Sequence, residues 1–152
     1  MEEFYPENRR LQSGMLWTSV LTVRAPRRGL HEFTEEVAGV VAKAEVDTGL
    51  CTLFIRHTSA SLVIQENYDA SARRDLETFL ERLVPEGAPW ITHTLEGPDD
   101  MPSHIKAVLT QVSLGIPILD GKLALGTWQG IYLWEHRAQL TPRQIVVSIQ
   151  GK

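Results

Sequence analysis

The chain has 152 residues, of which 43% are hydrophobic and 22% are charged, as expected for one ordinary globular domain. Its net charge of -4 and its dispersed basic pairs argue against a nucleic-acid-binding surface, and no run approaches the roughly 20 apolar residues of a membrane span. The polar N-terminus does not resemble a secretory leader, and the single Cys51, in an apolar run, excludes an internal disulfide. We therefore expect a cytoplasmic protein with Cys51 as a small buried hydrophobe.

The first half of the chain predicts a flexible extension over residues 1–14, followed by a single domain over residues 15–152. Alternation from Met15 to Val23 indicates a strand rich in β-branched residues. A helix should follow, with Thr34 as its N-cap. Its predicted buried face comprises Val37, Val40, Val41 and Ala44.

Two strands and a second helix are predicted next. Leu50 to Arg56 is a short apolar run, residues 57–60 interrupt it, and Ser61 to Gln65 resumes as a strand. Asp69 can cap the following helix, which Pro85 ends. The predicted apolar face of that helix comprises Ala72, Leu76, Phe79, Leu80 and Leu83.

Residues 85–101 form the longest irregular stretch. The apolar side chains of Trp90, Ile91 and Leu95 could be buried against the domain, so we predict that this loop is ordered. Pro102 suits the first position of a third helix. The apolar spacing predicts a buried stripe of Ile105, Val108, Leu109 and Val112.

The last third predicts strands. Asp120-Gly121 between two apolar runs indicates a two-residue hairpin turn, and a long strand should run on to His136. A final strand is predicted from Gln144 to Ile149. The fold class is therefore α+β, one domain with mostly antiparallel sheet and about three helices.

The segment HTSAS, residues 57–61, contains three hydroxyl groups beside His57. The hydroxyls of Thr58, Ser59 and Ser61 could hold a phosphate or carboxylate, or they could simply satisfy the backbone of a turn. Glu66 follows the next strand and could act as a base or metal ligand, or it could belong to the cap of the following helix.

His93 and His104 enclose three carboxylates, Glu96, Asp99 and Asp100, within twelve residues. Imidazole with carboxylate suits zinc and similar metals, whereas magnesium would prefer the carboxylates. The spacing matches no standard zinc motif. His104 lies at the edge of the predicted buried stripe. A histidine at that position could face a cleft and bind a ligand, or it could be a structural histidine, and the sequence favours neither.

Four further candidates are cationic or aromatic. Lys106 should lie on the exposed side of its helix, either solvated or reaching an anion. His136 could add a metal ligand and Arg137 could clamp a phosphate, although both also fit an exposed strand end. Trp128 fits the core or a subunit interface.

The motifs HTSASLVIQEN, EGPDDMPSHIK, GTWQGIYLWEHR and VVSIQGK, in this order with the Asp-Gly hairpin, are similar to those of the YjbQ family. The resemblance spans roughly residues 15–152. It implies an α+β homotrimer and the activity of a secondary thiamine-phosphate synthase, which joins a pyrimidine pyrophosphate to a thiazole phosphate and releases pyrophosphate.

The resemblance also implies a divalent metal, zinc or magnesium, and a set of site residues. We assign His57, His93 and His104 as metal ligands. We assign Glu66, His57 and His136 to catalysis. The residues assigned to the phosphorylated substrate are Thr58, Ser59, Lys106, Thr127, Gln129 and Arg137. Two other functions stay open: a metal-dependent hydrolase of a small metabolite, and a non-enzymatic trimer that binds a metal or an anion.

Overall fold

The structure is a computed structural model that describes residues 2–4, 9–11 and 14–152, the first two ranges by their backbone alone. Its elements are β1 (Glu2–Phe4), β2 (Arg9–Leu11), β3 (Gly14–Val23), β4 (Gly29–Glu32), α1 (Thr34–Ala44), β5 (Gly49–Ile55), β6 (Ala60–Glu66), α2 (Ala70–Leu83), α3 (Asp100–Leu109), β7 (Ser113–Leu119), β8 (Lys122–Leu123), β9 (Gln129–Glu135) and β10 (Arg143–Gly151). No helix in these ranges is long and apolar enough to span a membrane.

The strands form two antiparallel sheets. The larger has the order β1-β3-β10-β5-β7-β8, with β2 also pairing with β3, and the smaller has the order β4-β9-β6. With the three helices, this confirms the predicted α+β class and its mostly antiparallel pairing. The Asp-Gly turn joins β7 and β8 as predicted, and both of its residues have positive φ angles of 50° and 74°.

The main core lies between the larger sheet, α1 and one face of the smaller sheet. Alternate residues of β10 point into it, and Ile145, Val147 and Ile149 are fully buried. The predicted face of α1 is buried as expected. Cys51 is buried too, and burial raises the pKa of its thiol to about 12, which fits a structural rather than a reactive cysteine.

The other face of the smaller sheet is covered by helices. Tyr132 and Trp134 of β9 pack with Leu30 and with Leu80 of α2, while their neighbours Ile131 and Leu133 face the main core. The same alternation turns Glu135 away from the helices and buries it at the end of β9.

The N-terminal segment is partly paired. Residues 2–4 and 9–11 form antiparallel ladders with β3, so this part of the expected flexible extension has regular strand pairing. The expectation for the remainder of residues 1–13 lies outside the described residues.

Several predictions about helix boundaries and faces were wrong. Thr34 is the first residue of α1 rather than its N-cap, because its hydroxyl donates to Glu32 and accepts from the Ile131 backbone N–H. Helix α3 begins at Asp100, so Pro102 is its third residue. The α3 residues that are buried are Asp100, Pro102, Ser103, Lys106 and Ala107.

The predicted apolar faces of α2 and α3 are only partly buried. On α3, Val108 is 83% exposed and Leu109 is 56% exposed, because the polar side of this helix packs against β6 and forms specific hydrogen bonds. Phe79 and Leu83 of α2 are also exposed. So are Trp90 and Leu95, which the loop after α2 was expected to bury.

Candidate metal centre

Four side chains converge at the N-terminus of α3. His93 and Glu96 come from the irregular segment before the helix, while Asp100 and His104 lie four residues apart on one face of the helix. One potential ligand atom from each residue lies within 4.8 Å of the others. The structure therefore brings two of the three predicted metal ligands together with two carboxylates.

Asp100 is the buried centre of this cluster. Its Oδ2 lies 2.8 Å from His93 Nε2 and 3.1 Å from His104 Nε2, and Glu96 Oε2 lies 3.3 Å from the same His93 nitrogen. Burial of Asp100 opposes its ionisation, but the His93 hydrogen bond and the neighbouring positive charges outweigh this and hold its pKa below the usual value. Asp100 is therefore a carboxylate that can accept from, or ligate, a cation.

The orientation of His104 suits metal binding. Its Nδ1–H donates to the Thr58 carbonyl oxygen at 2.9 Å, because a carbonyl can only accept. In the neutral ring, Nε2 then turns a lone pair towards the Asp100 carboxylate. Such a contact is favourable only with a cation between the two atoms, either a proton or a metal ion. A second ring nitrogen held by a carbonyl is also the usual arrangement of a metal-binding histidine.

Arg137 fixes the carboxylate side of the cluster. Its guanidinium contacts Asp100 Oδ1, Asp99 Oδ2 at 3.3 Å and the Glu96 carbonyl at 2.9 Å. Asp99 also accepts from the Ala138 backbone N–H at 2.8 Å. Burial of Asp99 opposes its ionisation, but this hydrogen bond and the Arg137 charge hold its pKa low. Arg137, predicted as a phosphate clamp, is thus engaged in holding the loop.

His57 lies beside the cluster but is not part of it. Its Nε2 accepts from the Gln144 backbone N–H at 2.8 Å, so this nitrogen is already occupied. Burial and the nearby Arg143 charge lower the pKa of His57, which keeps the ring neutral. Thr58 contributes its backbone carbonyl to His104, and Ser59 accepts a hydrogen bond from Arg143 at 2.9 Å.

His136 and Lys106 are buried between α3 and the smaller sheet. His136 Nε2 lies 2.9 Å from Ser61 Oγ. Lys106, expected on the exposed side, is 2% exposed, and its Nζ donates to Glu81 of α2 at 2.8 Å. The side chain of Lys106 is therefore buried and its ammonium group is paired, which is the opposite of the predicted exposed orientation.

The remaining predicted residues lie at the opposite end of the smaller sheet. In the β6–β9 register, Ala60 is opposite Glu135 and Glu66 is opposite Gln129, so Glu66 is about 20 Å along the strand from the cluster end. Glu66 accepts from Tyr132 through its backbone carbonyl, and Gln129 accepts from the Gly126 N–H. Thr127 lies beside Gln129 in the exposed turn before β9.

The donor set fits a divalent transition metal. Two imidazoles and two carboxylates suit zinc, whereas magnesium favours oxygen ligands alone. The side chains of His93 and Glu96 are 49% and 64% exposed, so the cluster is open to a small molecule on one side.

The sequence did not predict the roles of Arg143 and Glu81. Arg143 bonds to Ser59 and Glu135, and Glu81 pairs with Lys106. These contacts join residues that are distant in the chain, so only the folded structure reveals them.

Comparisons with known proteins agree with the fold. The family model described as UPF0047 protein YjbQ-like matches residues 19–152. A UPF0047 protein of Synechocystis is 47% identical over 88% of this chain and 90% of its own length, and UPF0047 protein YjbQ of Salmonella typhimurium is 43% identical over 91% and 100%. A YbjQ-like protein of unknown function from Sulfolobus solfataricus superposes with a TM-score of 0.83 at 26% identity, covering 91% of this chain and 99% of the other.

The buried His136 predicts acid sensitivity of the fold. Burial lowers its pKa to about 3, and the charges of Lys106 and Arg143 act in the same direction. The unfolded chain binds this proton near pH 6.5 and the folded chain does not, so stability falls as pH drops from 6.5 towards 3. We expect His136→Gln to reduce the slope of unfolding free energy against pH by up to about 1.4 kcal/mol per pH unit.

The measurement is urea denaturation between pH 7 and pH 4. Ser61→Ala is the matched control, since it removes the hydrogen-bond partner and leaves the imidazole buried. It should retain the wild-type slope. Equal slopes for wild type and His136→Gln would show that His136 does not carry this sensitivity.

Proposed function

Because the chain belongs to the UPF0047 protein YjbQ-like family, we propose that it is an enzyme that binds a divalent transition metal and acts on a small phosphorylated molecule. The metal, with zinc favoured over magnesium, would be held by His93, Glu96, Asp100 and His104. The observation that carries the proposal is the convergence of these four donors, with His104 already oriented by the Thr58 carbonyl.

A bound zinc ion would supply Lewis-acid charge for an anionic group of the substrate. Residues around the four donors hold them in position. Arg137 contacts the backbone carbonyl of Glu96 and the side chain of Asp100, and the Thr58 carbonyl orients His104. A cavity of about 380 Å³, lined by apolar loop residues such as Ile91 and Pro98, lies against His93. Its volume and its wall suit a small molecule with an apolar part.

Loss of a donor should weaken metal binding. We expect wild-type protein, purified without chelator and reconstituted with zinc, to hold about one zinc per chain, and His104→Ala to reduce affinity at least about 10-fold because it removes a ligand. Elemental analysis and competition with a chromogenic chelator measure this. His31→Ala is the matched control, since His31 lies on β4 outside the cluster. Wild-type protein that retains no metal after reconstitution contradicts the proposal.

The reaction that we propose is thiamine-phosphate synthesis, in which a pyrimidine pyrophosphate and a thiazole phosphate are joined and pyrophosphate is released. Its support is the family resemblance together with the open donor cluster. The nearby cations are not free to bind the phosphates of the substrates, because Arg137 is paired with Asp99 and Asp100, and Lys106 is paired with Glu81. Metal charge therefore has to neutralise the leaving group.

We expect zinc-loaded protein, prepared in cells that lack their own synthase, to form thiamine phosphate from the two substrates. His104→Ala should lower the rate at least about 100-fold, as loss of one electrostatic contact commonly does. His31→Ala should retain it. Chromatographic detection of thiamine phosphate measures the reaction, and a full rate in His104→Ala would remove this cluster from the chemistry.

A metal-dependent hydrolase is the second candidate. The exposure of His93 and Glu96 favours it, because a half-open metal centre admits water as well as a substrate. The same preparation distinguishes the two candidates. Metal-dependent release of phosphate from small phosphoesters, with no thiamine phosphate formed, would favour the hydrolase.

We also propose a homotrimer, in which the apolar residues on the outer faces of α2 and α3 are covered by neighbouring subunits. Phe79, Leu83, Val108 and Leu109 are exposed in the single chain, and large exposed apolar side chains on adjacent elements commonly mark a protein interface.

Charge placed on that surface should dissociate the trimer. We expect wild-type protein to have the mass of three chains by light scattering and Leu109→Asp to shift it towards one chain. Leu119→Asp is the matched control, since Leu119 on β7 is 57% exposed and Leu109 is 56% exposed. A wild-type monomer, or an intact trimer in Leu109→Asp, would contradict this interface.

A further inference from the structure

We infer that Ser59, Arg143 and Glu135 are positioning residues for His104, which fix the ring nitrogen that it turns towards the metal. The inference rests on the proposed metal site and extends it to residues that do not touch the ion. It follows from hydrogen bonds that lead from a buried ion pair to Ser59, and from the adjacent Thr58 carbonyl to the His104 ring.

The first link joins the turn at residues 57–59 to the imidazole. The Thr58 carbonyl accepts from His104 Nδ1 at 2.9 Å. This contact places the proton on Nδ1 and leaves Nε2 for the metal, beside Asp100. The carbonyl belongs to the backbone, so its direction depends on what holds the turn.

The second link holds the turn itself. Arg143 Nη1 donates to Ser59 Oγ at 2.9 Å, and Nη2 lies 3.5 Å from the Ser59 carbonyl. On the other side of Thr58, the His57 ring accepts from the Gln144 backbone N–H at 2.8 Å. The turn between β5 and β6 is thus tied to the first two residues of β10 on both sides of the carbonyl that orients His104.

The third link fixes the guanidinium. Glu135 accepts from Arg143 Nε at 2.7 Å and from Nη2 at 2.6 Å, and both side chains are buried. Such a planar, two-point pair permits one orientation of the arginine. Glu135 Oε1 also accepts from the backbone N–H of Arg137, the residue that holds Asp100. One carboxylate therefore anchors both the histidine side and the carboxylate side of the cluster.

Ser59→Ala tests the inference, because it removes the hydroxyl that Arg143 holds and leaves the Glu135–Arg143 pair intact. We would titrate full-length protein with Co²⁺ alone, following its visible absorption, and record the His104 ring nitrogens of metal-free protein by ¹⁵N NMR at pH 8. Ser148→Ala, a half-buried serine on β10 away from the cluster, is the matched control. Arg143→Lys, which keeps the charge but loses the two-point pair, is a second variant should Ser59→Ala not fold.

We expect about 10-fold weaker Co²⁺ binding in Ser59→Ala and a shift of the His104 proton from Nδ1 towards Nε2, with neither change in Ser148→Ala. Wild-type affinity and an unchanged Nδ1 proton in a folded Ser59→Ala or Arg143→Lys protein would overturn the inference. If wild-type protein binds no Co²⁺ or zinc, the proposed metal site fails, and the NMR result alone then decides whether these residues position His104.

Discussion

The buried ion pair between Glu135 and Arg143 is the contact on which the geometry of the site depends. A buried charge is costly unless it is paired and hydrogen-bonded, and removal of one partner typically costs about 3–5 kcal/mol. Here both carboxylate oxygens and the guanidinium have partners. The pair can remain buried only if the end of β9, the start of β10 and the turn at residues 57–59 keep their positions. The chain therefore cannot rearrange this corner of the fold cheaply, which is the condition that a preorganised site needs.

Antiparallel pairing explains how distant segments meet at this corner. Because Ala60 is opposite Glu135 in the β6–β9 ladder, the turn before β6 lies beside the residues that follow β9. Arg143 begins β10, which pairs with β5, so it returns to the same turn from the larger sheet. The two sheets thus deliver a carbonyl and a guanidinium to one place, and α3 lies across β6 with His104 directed at that carbonyl.

Features that depend on neighbouring residues could be predicted from the sequence, whereas features that depend on contacts between distant residues could not. The Asp69 cap, the Asp-Gly hairpin and the strand of residues 15–23 depend on neighbouring residues, and the structure has all three. The buried face of α3 was predicted from apolar spacing, but this helix buries Ser103 and Lys106 instead, through hydrogen bonds to the Asp100 carbonyl and to Glu81. Similarly, His93 and His104 share one short segment and were grouped easily. The separation of His57 from them depends on its bond to Gln144, 87 residues away.

Charge balance links the site to its proposed ligand. Glu96, Asp99 and Asp100 bring three carboxylates to the cluster, and Arg137 is the one arginine or lysine paired with them among the described residues. With both histidines neutral, this leaves an excess of two negative charges. A divalent metal would cancel that excess. Without the ion, the same surface would repel an anionic substrate, since like charges in a partly buried cleft are weakly screened. In the proposed function, metal loading and attraction of a phosphorylated substrate would therefore be coupled by electrostatics. Arg137 would serve metal loading by holding the carboxylates in place, rather than bind the phosphate directly.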